Sequence, residues 1–361
     1  MDQFLEIANQ FQLNSKAISA QNNYGDGHIN DTFLLKTESG ESYIMQKINT
    51  SVFKNAEALM DNVILVTDFL KKKIVKAGGD PLRETLSVVM TRDGKTLYRN
   101  GGDCWRVYTF IQGAVTLQTC ENEEQFYASA CAFGHFQKLL ADFPADTLYE
   151  SIPNFHNTKS RYLDFEDAVR KDVCGRAASV EKEIAFVRAR KDFAATLVDM
   201  QERGELPLRV THNDTKLNNV LFDEKTRLPL AVVDLDTVMP GLSVNDFGDS
   251  IRFGATYAAE DEPDLSKVNF ELPLFECYTK GFLGECGSLM TENEKKMLPI
   301  GAMMMTFECG MRFLTDYLNG DTYFRIHREG HNLDRCRTQF KLVSDMEKSR
   351  AQMDEIVRNC K

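Results

Sequence analysis

A chain of 361 residues, 43% hydrophobic and 27% charged, has the composition of a globular protein and enough length for about two domains. Its net charge of −11 and pI of about 5.2 argue against a nucleic-acid or anionic-membrane partner. No basic N-terminal stretch leads into an apolar one, no apolar run approaches membrane-spanning length, and nine cysteines are scattered without a C-x-x-C pair. A cytoplasmic protein with reduced thiols is therefore expected, as a monomer or weak homo-oligomer.

Residues 2–12 set Phe4, Ile7, Ala8 and Phe11 at helical spacing. Tyr24-Gly25-Asp26-Gly27-His28-Ile29-Asn30 follows, then a strand over 31–37, a Ser39-Gly40 turn and a returning strand over 43–48. Gly25 and Gly27, between strands, would let backbone amides approach phosphate oxygens. A helix is expected over 55–72 on the stripe Leu59, Val63, Val66 and Leu70, with Gly78-Gly79-Asp80-Pro81 ending that segment. Strands are expected over 86–91 and 104–111, around turns at Asp93-Gly94 and Gly101-Gly102-Asp103. The second would leave the sheet as a hinge and offer its edge, with Tyr108 and Ile111, to an adenine ring.

From about residue 122 the pattern is helical. Phe126, Ala130, Phe133 and Leu140 mark one helix, and Ile184–Met200 a second, closed by Gly204. Residues 293–319 form a third, with Pro299 near its start and Gly320 after its end, and 333–358 a fourth. The expected fold class is α+β and bilobal. A small, mostly antiparallel N-terminal lobe over 1–110 ends in the hinge, and a larger helical lobe spans 111–361.

Chemistry concentrates in residues 211–237, Thr-His-Asn-Asp-Thr-Lys-Leu-Asn-Asn-Val-Leu-Phe through to Val-Val-Asp-Leu-Asp-Thr. One loop carries His212, Asp214, Lys216 and Asn219, and an apolar strand follows. A second apolar strand ends at Asp234, with Asp236 two residues on and expected on the same side of the chain. Phosphoryl transfer needs such a set: a carboxylate for the attacking hydroxyl, a cation for the phosphoryl group, and hard oxygen ligands for a divalent ion. Asp214 suits the first task and Lys216 the second; Asn219 and Asp234 suit the third. Asn245-Asp246-Phe247-Gly248 contains a literal D-F-G but follows a Pro240-Gly241 turn rather than an apolar strand, so Asp246 is expected to brace the loop instead.

The loop His212–Asn219 followed by Val-Val-Asp234-Leu-Asp resembles the aminoglycoside phosphotransferase and choline kinase superfamily, relatives of the protein kinases. The runs at 24–30, 211–219, 246–255 and 308–314 are similar to those of the bacterial N-acetylhexosamine 1-kinases, in the same order along nearly the whole chain. The resemblance implies transfer of a phosphoryl group from ATP, with Mg²⁺, to the anomeric hydroxyl of N-acetylglucosamine or N-acetylgalactosamine, giving the sugar 1-phosphate and ADP. It also implies that His28, Arg312 and Tyr323 meet the sugar, with Asp214 and Asp236 facing the substrate. Glu308, one helical turn before Arg312, is expected to hold its guanidinium.

One position departs from the kinase pattern. The strand lysine that grips the nucleotide phosphates should lie in Tyr43–Lys47, where an inward register could present Gln46, leaving Lys47 on the other face. The clamp is thus open between Gln46 and Lys47, and Glu57 is a weak candidate partner. Other acceptors, a hexose, choline, homoserine or an aminoglycoside, form the alternative. A polycation would want a carboxylate wall, for which Glu260-Asp261-Glu262-Pro263-Asp264 is the one acidic run, more simply a solvated loop.

Overall fold

The computed structural model describes residues 2–25 and 29–360. By Cα packing the chain divides into two units: Met1–Val115 with 146–153 and 221–239, and Thr116–Ala145 with 154–220 and 240–361. The first unit thus collects two segments distant in sequence, one of which carries Asp234.

The N-terminal unit is built on an antiparallel sheet. Its helices are α1 (Asp2–Ala8) and α2 (Ala56–Ala77), and its strands β1 (Ala17–Asn22), β2 (Asp31–Thr37), β3 (Ser42–Ile48), β4 (Val88–Val89), β5 (Tyr98–Asn100) and β6 (Asp103–Thr109). The order is β1-β2-β3-β6-β4, with β5 also on β6. Side-chain alternation gives the sheet two faces. Phe33, Leu35, Tyr43, Met45, Trp105 and Val107 pack with Ile7, Ala8 and Phe11 into one apolar cluster. The pairings Thr32↔Gln46↔Arg106 put polar groups on the opposite face, where the Arg106 guanidinium also meets the Met60 sulfur of α2.

Several boundaries differ from the expected ones. The first helix stops at Ala8, because Phe11 is drawn into a bridge with Thr91. Over 86–91 only Val88–Val89 pair with β6. The helix expected over 55–72 runs on to Ala77, where Gly78 in the left-handed region (φ 83°) caps it. Strand β1 carries no clear alternation and was missed.

Three short strands, β7 (Ala114–Thr116), β9 (Val220–Asp223) and β10 (Pro229–Val232), form a second sheet in the order β10-β9-β7, and β8 (Arg209–Thr211) pairs with β11 (Met239–Gly241).

The second unit is helical: α3 (Glu123–Leu139), α4 (Thr158–Lys171), α5 (Glu181–Arg188), α6 (Lys191–Glu202), α7 (Ser243–Gly254), α8 (Leu272–Cys286), α9 (Glu292–Leu318), α10 (His331–Lys348) and α11 (Arg350–Asn359). The single helix expected across Ile184–Met200 is broken at Ala189-Arg190, and that over 333–358 at Ser349; neither break carries a Gly or Pro signal. Pro299 sits inside α9 rather than at its start.

Helix α9 is the axis of this unit. Thr291 and Glu294 form a reciprocal capping box at its N-terminus. The same Glu294 carboxylate binds Arg209 of β8 (2.5 and 2.7 Å) and the Ser243 hydroxyl at the start of α7 (2.7 Å). One cap therefore ties together the strand and the helix that flank the loop 212–219. Gly248 of α7 and Gly301 of α9 let the two helices touch backbone to backbone: a Cβ on Gly248 would run into the Gly301 carbonyl, and one on Gly301 into the Val244 carbonyl. Among the described residues no helix is long and apolar enough to cross a membrane.

Candidate active site

The loop after β8 is pinned from behind by two carboxylates of α7. Asp246 accepts the backbone N–H groups of His212 and Asn213, both at 2.8 Å, and the Gln137 amide at 2.6 Å. Asp249 accepts the Thr215 N–H at 2.9 Å and is held by Arg252 at 2.8 Å. The literal D-F-G therefore opens a buried helix, and its aspartate braces the loop as the sequence implied. Burial pushes the Asp246 carboxyl above its ordinary value, against the pull of those donors. His212 is fully buried, edge-on to Phe133 and Phe136 of α3 at 5.6 and 5.8 Å, and its Nδ1 accepts the Asp214 N–H at 3.3 Å.

This bracing holds Asn213 in the left-handed region (φ 63°), where a non-glycine residue persists only if its surroundings fix it. The turn presents Asp214, whose side chain is 24% exposed, beside the Lys216 ammonium (31% exposed) at 2.9 Å. Burial alone would raise the Asp214 carboxyl, but Lys216 outweighs it and holds the group below the usual carboxylate range; Asp214 in turn raises Lys216. Asp214 is thus an ionised acceptor. Asn219 ends a short 3₁₀ turn (Leu217–Asn219) and donates its amide N–H to the Asp214 carbonyl at 2.8 Å and carboxylate at 3.2 Å. Both donations use its nitrogen, which leaves the amide oxygen as a hard donor.

In the N-terminal unit β10 delivers Asp234 to an exposed position, again in the left-handed region (φ 60°). The chain then closes a 3₁₀ turn over Leu235–Thr237, so the strand alternation expected to put Asp236 on the same side fails. Asp236 is buried. It receives both terminal nitrogens of Arg106, at 2.5 and 2.8 Å, and the Asn30 amide at 2.7 Å. Arg106, only 1% exposed, also donates through Nε and Nη2 to the Gln46 carbonyl oxygen at 3.0 and 2.8 Å. Gln46 in turn donates to Thr32 at 3.1 Å, and the Asn30 oxygen accepts the Asn49 N–H at 3.0 Å. Burial works against the guanidinium, yet Asp236 keeps its pKa above the ordinary value.

Gln46 does face this cluster, with Lys47 on the other face in a half-exposed pair with Asp103 at 2.9 Å. Glu57 is spent on Arg99 of β5, a surface pair at 2.6 Å. Tyr108 and Ile111 are buried, the Tyr108 ring lying 5.1 Å from the Arg106 guanidinium, and burial raises the Tyr108 phenol. Gly25 takes φ 78°, which suits glycine, while Gly27 and His28 lie outside the described residues. Arg106 escaped the sequence reading, although a lone arginine inside the apolar run Cys104–Ile111 was the available signal.

Arg312 and Tyr323 line a cavity of about 350 Å³ in the helical unit, with Arg161, Asp164, Asp316 and Phe324 also in its wall. The Arg312 guanidinium lies 5.4 Å from the Phe155 and Phe324 rings and 5.6 Å from Tyr323, and donates to the Tyr323 hydroxyl at 3.4 Å. The expectation that Glu308 would hold it is corrected. Glu308 gives its carboxylate to His156 (2.9 Å) and Thr158 (2.6 Å), because it points into the core while Arg312, one turn on, points into the cavity. The acidic run 260–264 is spent locally: Glu260 on Arg252, Asp261 on Arg328 and His331.

Hard oxygen donors, the Asn219 amide oxygen and the exposed Asp234 carboxylate, are the type a magnesium ion takes.

The α+β fold, with an antiparallel sheet unit and a helical unit, is shared with small-molecule kinases of known structure. The chain is similar to a microcompartment-associated aminopropanol kinase (15% identity, TM-score 0.62, 98% of each chain covered). It is also similar to spectinomycin phosphotransferase in complex with ADP and spectinomycin (13%, 0.60, 97% and 98%), and to a choline kinase from Streptococcus pneumoniae (13%, 0.57, 95% and 99%). Residues 21–276 match the phosphotransferase enzyme family, and the chain belongs to it.

Proposed function

We propose that this enzyme is an ATP-dependent sugar kinase that phosphorylates the anomeric hydroxyl of N-acetylhexosamines. The N-terminal unit is assigned the nucleotide, through Gly25 and Gly27, Tyr108 of β6 and Ile111 just after it. The helical unit is assigned the acceptor, met by Arg312 and Tyr323; His28, outside the described residues, is assigned to the sugar on the resemblance alone. Asp214 takes the proton of the anomeric hydroxyl as its oxygen bonds to the γ-phosphorus, and the bond from that phosphorus to the β–γ bridging oxygen breaks to release ADP. Lys216 steadies charge on the transferring group. Asn219 and Asp234 would hold Mg²⁺, whose chemistry here is to neutralise the triphosphate oxygens. Asp236, saturated by Arg106 and Asn30, acts from behind by fixing the turn that presents Asp234.

One observation carries the choice of acceptor. Arg312 stands at the cavity wall among three aromatic rings, with no carboxylate within ion-pair distance among the described residues. Such a guanidinium keeps N–H donors for neutral, oxygen-rich acceptors such as a sugar hydroxyl or an acetamido carbonyl, while the cavity's carboxylates are already engaged: Asp164 by Arg161, Asp167 by Lys171, and Asp316 by backbone N–H groups and Asn332. The acidic run that would have served a polycation is consumed by ion pairs. Coupled ADP-release assays over N-acetylglucosamine, N-acetylgalactosamine, glucose, choline, homoserine and an aminoglycoside test this. Turnover is expected on the two N-acetylhexosamines first; turnover on choline or the aminoglycoside alone rejects the sugar in favour of another small hydroxyl acceptor.

A further inference from the structure

His156 stands between the catalytic loop and helix α9. Its Nε2 is 3.1 Å from the Asn213 carbonyl oxygen, its Nδ1 is 2.9 Å from Glu308 Oε1, and the side chain is only 9% exposed. Both partners are acceptors, whereas a neutral imidazole owns a single N–H. Only the doubly protonated ring satisfies both contacts. Asn213 is thereby held through both of its flanking peptides, its N–H by Asp246 and its carbonyl by His156, at a left-handed residue directly before Asp214.

We propose that His156, as an imidazolium clasped to Glu308, is a positioning residue that fixes the Asn213–Asp214 peptide and with it the aim of Asp214. The inference rests on the phosphotransfer reading for its kinetic consequence, but not for its structural one.

The electrostatics agree. Burial disfavours the imidazolium, yet Glu308 outweighs it and the histidine titrates above its ordinary value, while His156 holds Glu308 below its own. The other charges facing the pair are Asp249 of α7 with its partner Arg252, Arg312 of α9 and Arg161 of α4. A raised pKa means the clasp is complete below the ordinary histidine value and is lost as pH rises through the folded one. The Phe155 ring, 4.4 Å from His156 and 5.4 Å from Arg312, makes the clasp contiguous with the cavity wall.

The test uses full-length protein labelled with ¹⁵N-histidine. Two-bond ¹H–¹⁵N spectra at neutral pH should show one imidazolium pattern that disappears in His156→Gln; a neutral-tautomer pattern for His156 overturns the proposal. Glu308→Gln keeps the shape and removes the charge, and serves if the first variant does not fold. In it the His156 titration should move to lower pH. Amide hydrogen exchange at Asp214 and Thr215 should quicken, and kcat should fall roughly 10-fold with KM nearly unchanged, its alkaline limb shifted down. If no acceptor is turned over, the kinase reading fails while the spectra and the exchange still decide the clasp. An imidazolium present in the wild type, with exchange and kcat unaltered in Glu308→Gln, overturns the positioning role.

Discussion

Two turns in this molecule solve one problem with different chemistry. In the helical unit, Asn213 is kept left-handed by carboxylates that accept backbone N–H groups, and Asp214 beside it stays partly open to solvent. In the N-terminal unit, Asp234 is kept left-handed next to a carboxylate consumed by a guanidinium from another strand. Backbone donors are paired by any acceptor of the right reach. A buried carboxylate opposite a buried arginine is stable only as a pair, since either charge alone pays its full desolvation. The first turn should therefore degrade by steps, the second all at once.

The largest effect is expected where the second turn is broken. Arg106→Ala strands Asp236 in the core and should cost about 3–5 kcal/mol of stability in urea unfolding, whereas Arg106→Met with Asp236→Leu should recover most of it. A single variant no worse than the double would remove the distinction between the turns. Next comes Asp214→Asn, which leaves the bracing of the first turn in place: turnover should drop at least about 10²-fold while nucleotide affinity, read by calorimetry, is retained. Gly301→Ala tests whether the close approach of α7 and α9 supports that bracing. Overpacking there should cost about 1–3 kcal/mol and lower the melting temperature without moving KM if the loop is otherwise intact. The smallest effect belongs to Glu57→Ala. Its pair with Arg99 is exposed on both sides, so a loss under about 1 kcal/mol and unchanged turnover are expected; a large loss of kcat would mean this pair clamps phosphates after all.

Much of this was legible in the chain itself. Asp214, Lys216 and Asn219 were found because a short loop fixes their mutual distances through sequence spacing alone, and the structure gathers those three within one hydrogen-bonded set. The register Gln46↔Arg106 follows from alternation along paired strands, so the inward turn of Gln46 could be read, but not what Gln46 would meet there. Asp236 misled for the reverse reason: a 3₁₀ turn broke the alternation on which its placement depended. Arg106, His156 and Glu308 share one property, that each finds its side-chain partner on a different element.

Local spacing, apolar period and loop composition determined the fold class and the clustering of Asp214, Lys216 and Asn219, because those act between neighbours along the chain. Which carboxylates brace, which stay available, and that Arg312 faces a cavity instead of Glu308 were decided only by packing. Burial is what turns a long-range contact between charges into an obligatory one, and burial is a property of the assembled unit.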